Sequence, residues 1–556
     1  MEQAEGIAKP EIQADKKPLP ILPFVAVALT MSLGLTVYRV ATGGEPYYNN
    51  DEARHIMTSV FWADFLRVMP VRDTAGFVKT YYGHYPAIAP LHWPPLLSMT
   101  TGGVFRLFGP SVPLARVLVL LTALVWLAAV FALASEVWGR RAGFVAVGLL
   151  AVTKTSMLFG SLFMLEIPCQ MWMALSLLAF ARYVRSAAAR WIWLCAGSAV
   201  AAVLTKQHGA IVLPALVAGA ITGFERRHWR NLHLHVSSVL AILVAGGYYG
   251  FALSHITSSA QDVHAVSGDT GPAVGEALLD LSPALGLGAL IGLIGLFFRQ
   301  RSWLDWSAIA MATGCAGLFF AFGVKDSRYL CYWQAPLALL AAAAISRGIR
   351  KLPLAGPAAL GAALVASVAF SGSRLPEGRL TGYEEAAVVA AELSEGRPVL
   401  FAGVYDGPFI LYRRLHDPSL RATTLRGSKL LGGGNIIPER NYEAYVDGRR
   451  DILDRLEEWG VRWVVAEHEP EMDRPEHRLF WRMLGEPRFA LRDKIRITYP
   501  DGSMRYIDVY EFLDAAEKAP DTIHIPMPTL QQDVIRFHPD RSLLEWPHDR
   551  GEDRPE

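Results

Sequence analysis

LPILPFVAVALTMSLGLTVYRV, residues 19–40, is the first of several long apolar stretches that decide the fold of this chain. A helix needs about 20 residues to cross a hydrocarbon core of about 30 Å, and this stretch is long enough. No small-residue cleavage site follows it closely, so it predicts a retained membrane helix rather than a signal peptide. Of the 556 residues, 52% are apolar and 19% are charged. Soluble domains carry about 25% charged residues, so the composition indicates a membrane protein with a soluble portion.

Similar apolar stretches recur as far as residue 371 and predict a polytopic α-helical membrane protein. The eleven predicted spans are 20–40, 112–135, 142–160, 166–183, 191–205, 207–222, 236–253, 281–298, 304–322, 329–346 and 353–371. Two of them, 191–205 and 207–222, are short, so we expect the LTKQHG segment between them to lie at membrane depth.

Lysines and arginines occupy every second connection between these spans, and such clusters face the cytoplasm. The clusters are Lys9, Lys16 and Lys17; Arg140 and Arg141; Arg182, Arg185 and Arg190; Arg226, Arg227 and Arg230; Arg299 and Arg301; and Arg347, Arg350 and Lys351. The N-terminal segment 1–19 is therefore predicted to be cytoplasmic and the C-terminal portion to lie outside the plasma (inner) membrane.

The predicted transmembrane domain, 20–371, includes a large outer loop at 41–111. After residue 372 the composition changes, and short strand patterns (RPVLFAGV, VRWVVAE) alternate with amphipathic helix patterns (YEEAAVVAAELSEG, RDILDRLEEWG). RFALRDKIRITYPDGSMRYIDVYEF predicts a hairpin with Asp501-Gly502 at its turn. We therefore expect an extracytoplasmic α/β domain at 372–517, followed by a polar tail at 518–556.

Charge and cysteine content exclude some classes of function. The net charge is +1 and no basic patch is interleaved with aromatic residues, so no nucleic-acid partner is expected. The four cysteines lie in apolar segments at wide spacings, which fits buried side chains better than a disulfide framework or a zinc site.

The remaining ionisable residues gather at the outer ends of the predicted spans. They are Asp51, Glu52, Lys154, Glu166, Lys206, His255, Lys325 and Arg328. Ionisable groups within or beside membrane spans are costly and often mark function. Carboxylates and cations at one face of the bilayer fit glycosyl transfer from a lipid-linked sugar phosphate. A carboxylate would serve as general base for the acceptor hydroxyl, and cations would neutralise the departing phosphate.

Five motifs along the chain occur in an order that resembles a known superfamily. They are NNDEARH, HWPPLL, LFMLEIP, LTKQHGAIVLP and KDSRYLCYWQAPLALL. Over residues 20–346 they resemble the GT-C glycosyltransferases, with the protein O-mannosyltransferases, the aminoarabinose transferases of lipid A and the RgtA/B/C/D-like transferases as the nearest groups. The resemblance implies an inverting transfer from a polyprenyl-phosphate sugar to a lipid, glycan or protein acceptor.

The resemblance also implies roles for individual residues. Asp51 would be the general base. Glu166, the second catalytic candidate, would orient the acceptor or help to ligate a metal, and it occupies a position where these families usually carry an Asp. A Glu-Lys pair precedes the double proline in the aminoarabinose transferases, whereas His92-Trp93 stands here, so the expected phosphate-binding lysine is absent. The other candidates are Lys206, Arg328 and Lys325 for donor phosphate; Glu52, Arg54 and Tyr329 for substrate; and His92 and His255 for a divalent metal.

Several alternatives stay open at this point. Asp51 and Glu52 could cap the helix that follows, as could Asn50. Lys206 and Arg328 could be cations that reach the lipid headgroups, and the two histidines could be solvated. A transporter or lipid flippase is the main alternative function, although such proteins usually place the site near the bilayer midplane. A membrane-anchored binding or assembly protein is the second.

Overall fold

The computed structural model describes residues 21–255, 270–321, 326–351, 355–433, 443–467, 474–527, 532–539 and 541–546. Its N-terminal part is helical. The helices are α1 (Leu22–Thr42), α2 (Asp51–Val68), α3 (Thr74–His84), α4 (Leu96–Phe108), α5 (Val112–Trp138), α6 (Arg140–Ala151), α7 (Lys154–Phe159), α8 (Glu166–Ser186), α9 (Ala189–Thr205), α10 (Val212–Gly223), α11 (Arg226–Trp229), α12 (Leu232–His255), α13 (Thr270–Asp280), α14 (Pro283–Gly295), α15 (Trp303–Ala321), α16 (Gln334–Lys351) and α17 (Ala355–Gly372). Short 3₁₀ turns lie at Tyr48–Asn50, Gln207–Ile211 and Ser327–Trp333.

The longest helix shows how local sequence sets the ends of a span. Ser111 caps α5 by accepting the Leu114 amide, and Pro113 occupies the first turn. Gly139 ends the helix with a positive φ of 91°, a conformation that glycine adopts without strain.

Seven helical segments of the described residues are long and apolar enough to cross a membrane. The number is eight if the bent pair α13–α14 is counted as one span. They confirm a polytopic helical membrane protein, but not the number of eleven spans. Predicted spans 191–205 and 207–222 correspond to shorter apolar helices. Predicted span 142–160 is divided between α6 and α7. There the hydroxyls of Thr153 and Ser156 donate to the Leu150 carbonyl, and Thr153 also caps α7.

The outer loop 41–111 forms three helices, of which α2 is the most enclosed. Its buried side chains lie on all sides of the helix, and it packs against α4 of the same loop and against a helix of the C-terminal part, α19 (Asp406–Leu415). A buried ion pair joins these parts, because Arg414 Nε lies 2.8 Å from the Asp64 carboxylate. The helix that begins with Asp51 and Glu52 is thus held between the membrane helices and the C-terminal part.

The C-terminal part contains a five-stranded mixed sheet in the order β2-β1-β5-β7-β6. Its strands are β1 (Val399–Ala402), β2 (Thr424–Arg426), β5 (Trp463–Glu467), β6 (Phe489–Thr498) and β7 (Met504–Phe512). β1 runs parallel to β2 and β5, while β7 is antiparallel to β5 and β6. The further helices are α18 (Tyr383–Ser394), α20 (Gly427–Leu431), α21 (Arg449–Glu458) and α22 (Pro475–Met483). This arrangement confirms the predicted α/β character of the C-terminal part.

Two predictions in this part can be compared residue by residue. The hairpin is confirmed, with Thr498 paired to Met504 and Gly502 at a φ of 82° in the turn. The predicted tail contains more regular structure than its composition indicated, because β8 (Ile523–Met527) pairs antiparallel with β9 (Gln532–Phe537). Among the described residues there are also two short strands, β3 (Gly432–Gly433) and β4 (Glu443–Ala444), and a 3₁₀ turn at Leu543–Glu545.

Candidate active site

The first acidic residue of the NNDEARH motif pairs with a cation from a distant segment. Asp51 is the first residue of α2, and its Oδ2 lies 2.6 Å from Nη1 of Arg328. Asn50 does not cap the helix. Its side chain instead donates to the Val404 carbonyl and accepts from the Gly407 amide. These contacts favour an ion pair as the role of the Asp51 side chain, and they argue against a role of Asn50 as a helix cap.

Arg328 is positioned by the 3₁₀ turn Ser327–Trp333. The Asp326 carboxylate begins this turn by accepting the Arg328 amide, and it also lies 3.1 Å from Nε of Arg328. The guanidinium donates to the Tyr329 hydroxyl at 3.3 Å. Arg328 is thus partnered by two carboxylates, which hold a largely buried cation beside Asp51.

A second acid and cation form a parallel pair. Nζ of Lys206 lies 2.5 Å from the Glu166 carboxylate, and both side chains are buried. Lys206 occupies the extended break between α9 and the 3₁₀ turn that follows, and Glu166 begins α8. The Tyr329 ring lies beside both cations, 5.4 Å from Lys206 Nζ and 5.1 Å from the Arg328 guanidinium carbon. The structure therefore brings together five of the predicted residues, Asp51, Glu166, Lys206, Arg328 and Tyr329.

The charge state of Asp51 follows from this arrangement. Burial raises the pKa of the carboxyl, but Arg328, with smaller contributions from His55 and Arg54, lowers it more, so the net pKa is below its ordinary value. Asp51 is therefore ionised at neutral pH. A carboxylate in that state can accept a proton.

Histidines that the sequence analysis did not select also lie in this cluster. His55 is one helical turn after Asp51, is buried, and packs edge-on against Trp93 with ring centroids 5.1 Å apart. Burial lowers the pKa of His55 to about 4, so the imidazole is neutral at pH 7. His208 stacks between Tyr329 and Tyr332. The spacing of four between Asp51 and His55 places both on one helix face and could have drawn attention to His55.

Glu52, predicted to bind substrate, is fully buried and engaged within the protein. Its carboxylate accepts hydrogen bonds from Nε and Nη2 of Arg116 at 2.8 and 3.1 Å, and from the amide of Phe163. Both oxygens are occupied, which favours a structural role. The adjacent acids Asp51 and Glu52 therefore have different partners.

The other predicted residues lie outside the two ion pairs. Arg54 reaches the C-terminal part, where Nη2 lies 3.2 Å from the Asp406 carboxylate. Lys325 and the side chain of His255 lie outside the described residues. His92 is exposed and packs against Trp93. Within the described ranges no group of three His, Cys, Asp or Glu side chains is close enough to hold a metal ion, so the metal stays a prediction.

Comparison with known proteins confirms the GT-C resemblance at the level of the fold. Residues 92–248 match the family model of the dolichyl-phosphate-mannose-protein mannosyltransferases. ArnT from Cupriavidus metallidurans bound to undecaprenyl phosphate is similar in structure, with a TM-score of 0.59 and 16% identity, covering 90% of this chain and 99% of that one. No curated protein matches the chain in sequence.

Two structures of the Archaeoglobus fulgidus oligosaccharyltransferase extend this comparison. One is tethered with an acceptor peptide and has a TM-score of 0.55 at 14% identity, covering 88% of this chain and 74% of that one. The other is a complex with Zn and sulfate, with a TM-score of 0.52 at 15% identity and coverages of 87% and 72%. At these identities the likeness establishes the fold, so function has to be argued from the site.

Proposed function

We propose that this chain, which has the GT-C fold, is an integral-membrane glycosyltransferase that moves a sugar from a polyprenyl-phosphate donor to an acceptor hydroxyl. The observation that carries the proposal is the pair of acid–cation contacts, Asp51 with Arg328 and Glu166 with Lys206, gathered around Tyr329. A base and phosphate-binding cations are the groups that this reaction needs. The undecaprenyl phosphate bound to the similar ArnT structure supports the donor class.

In the proposed reaction, Asp51 takes the proton of the acceptor hydroxyl while its oxygen attacks the anomeric carbon of the donor sugar. The bond from that carbon to the phosphate oxygen breaks, and the polyprenyl phosphate leaves with the electron pair. Attack opposite the leaving group inverts the anomeric centre. Arg328 and Lys206 stabilise the charge that develops on the phosphate.

Glu166 has a secondary role in this proposal, which is to hold Lys206 until the donor phosphate arrives and then to orient the acceptor. Arg54 and Tyr329 stay candidates for substrate contact, and Lys325 for the phosphate. A divalent metal at His92 and His255 is a further prediction, for which the Zn complex of the archaeal enzyme gives coarse support.

The proposed location follows from the distribution of basic residues. The site lies at the end of the bundle that the positive-inside rule assigns to the extracytoplasmic side. The donor would enter laterally from the outer leaflet, with its polyprenyl chain kept in the bilayer. The acceptor, a lipid, glycan or protein, would approach from the aqueous side, where the C-terminal part lies.

The experiment that tests this function is turnover by the purified chain in detergent with a panel of polyprenyl-phosphate sugars and candidate acceptors. We expect release of polyprenyl phosphate with at least one donor, and transfer of its sugar to a hydroxyl. Failure to bind any donor across a broad panel would contradict the proposal and favour a transporter.

A further inference from the structure

The parallel strands of the C-terminal sheet create a crevice that the proposed reaction does not use. The connection from β1 to β2 runs through α19 on one face of the sheet, where Phe401 shares a core with Phe409. The connection from β2 to β5 runs through α21 on the other face, where Leu400 shares a core with Ile452. Chains that leave adjacent parallel strands toward opposite faces open a crevice at the carboxyl ends, the usual ligand position in open α/β sheets.

A cavity of about 60 Å³ lies at this position. Its walls come from the segments that follow β1 and β2 and from α22. The polar side chains that line it are Asp406, Arg426, Ser428 and His477. We call these four residues and the space between them the switch-point cleft.

The carboxylate of Asp406 in the switch-point cleft is shared by two arginines. Asp406 is buried and lies between two arginines, 3.2 Å from Arg54 Nη2 and 2.5 Å from Arg426 Nε. Lys429 follows Arg426 by three residues and forms no ion pair within the described part of the chain. The positive charges near Asp406 are therefore two ion-paired arginines and this lysine, which is close enough to feel the charges of Arg426 and Asp406.

The surroundings of Lys429 disfavour the charged form of its side chain. Burial lowers the pKa of Lys429 to about 8, with a further decrease from Arg426 and an opposing increase from Asp406. The ammonium is still mostly protonated at neutral pH. An anion bound beside Arg426 and Lys429 would favour the protonated form of Lys429.

We propose that the switch-point cleft binds an anionic group, a phosphate or carboxylate, of the acceptor. This inference rests on the proposed function and deepens it by naming the chemistry of the acceptor. Arg54 connects the two places, because it contacts Asp406 and lies three residues after Asp51 on α2. Arg54 therefore links the helix that begins at the proposed base to a residue that lines the cleft.

The test titrates inorganic phosphate into the full-length protein in neutral detergent and follows binding by calorimetry. We expect Lys429→Gln to weaken phosphate binding at one site at least tenfold, and Lys429→Arg to retain it. Lys494→Gln is the matched control, since Lys494 is a half-exposed lysine of the same sheet, on β6. Unchanged phosphate binding in Lys429→Gln would overturn the proposal.

A second arm identifies the source of the anion. The same titration is made in nanodiscs of phosphatidylcholine alone and of phosphatidylcholine with phosphatidylglycerol. Phosphate binding that is equal in both supports an acceptor group from the aqueous side. Competition by phosphatidylglycerol at the Lys429-dependent site would overturn the assignment to the acceptor in favour of a lipid headgroup. Neither arm contains a sugar donor, so its result is independent of donor turnover.

Discussion

The carboxylate of Asp51 lies 2.6 Å from the guanidinium of Arg328, although 277 residues separate them in the chain. This pair joins the proposed base to the proposed phosphate-binding cation before any substrate is present. A donor phosphate would compete for Arg328 and loosen its hold on Asp51. Because Arg328 keeps the pKa of Asp51 low, that exchange would make the carboxylate a stronger base. We infer that donor binding prepares Asp51 for the acceptor.

The first prediction concerns Arg328. Arg328→Gln removes a cation from the phosphate position, so we expect donor affinity to fall at least about tenfold, equivalent to about 1.4 kcal/mol. The measurement is equilibrium binding of a polyprenyl-phosphate sugar to the purified protein. Arg182→Gln is the control. Arg182 is also ion-paired, with Glu136, but it lies near the C-terminal end of α8, away from Glu166 at the start of that helix. Equal losses in both variants would argue against a phosphate contact.

The second prediction separates a structural role of Glu52 from substrate binding. Glu52→Gln leaves the buried guanidinium of Arg116 without its counter-charge, and breaking a buried pair in this way costs about 3–5 kcal/mol. We expect a clear drop in the melting temperature in detergent. Glu384→Gln, which changes a half-exposed glutamate, should have little effect. An unchanged melting temperature with a raised KM would instead support substrate binding by Glu52.

The third prediction concerns pH and His84, a buried histidine at the end of α3 whose Nδ1 lies 3.0 Å from the Thr423 hydroxyl. Burial lowers the pKa of His84 to about 4, against opposing backbone hydrogen bonds and Asp417. The unfolded chain therefore binds a proton near pH 6.5 that the folded chain excludes. Neutral His84 therefore causes no loss of stability above pH 6.5. As the pH falls from 6.5 toward 4, the free energy of unfolding decreases, by at most about 3 kcal/mol.

The matching measurement is the melting temperature between pH 7.5 and pH 5 for wild type and His84→Asn. The asparagine removes the titration, so its melting temperature should fall less over this range than that of wild type. His55 has a similarly lowered pKa and titrates in both proteins. Identical slopes in the two proteins would exclude His84 as a source of the pH dependence.

The sequence predicted the parts of the fold that depend on local patterns. Apolar length indicated the membrane helices, and Asp501-Gly502 indicated the hairpin turn because a turn of this kind favours a residue with positive φ. The break at Thr153 was not predicted, since it depends on which carbonyl its hydroxyl reaches. Local patterns also did not show the ordered strand pair in the C-terminal tail.

Five residues of the candidate site were selected from the sequence one by one, but not the way they pair, and His55 and His208 were missed. Asp51 and Glu52 look equivalent in sequence, yet successive helical residues point about 100° apart, so each meets a different arginine. The contact of Asp51 with Arg328 and that of Arg54 with Asp406 join segments far apart in the chain. No local pattern encodes such contacts, because they depend on how the helices and the C-terminal sheet pack.

The measurement that tests the central claim most directly compares wild type with Asp51→Asn for release of polyprenyl phosphate from a donor that wild type turns over. Asparagine keeps the size of the side chain but cannot take up the acceptor proton. We expect kcat to fall at least about a hundredfold, while equilibrium binding shows that the donor is still held. Turnover at the wild-type rate in Asp51→Asn would contradict the assignment of Asp51 as the general base.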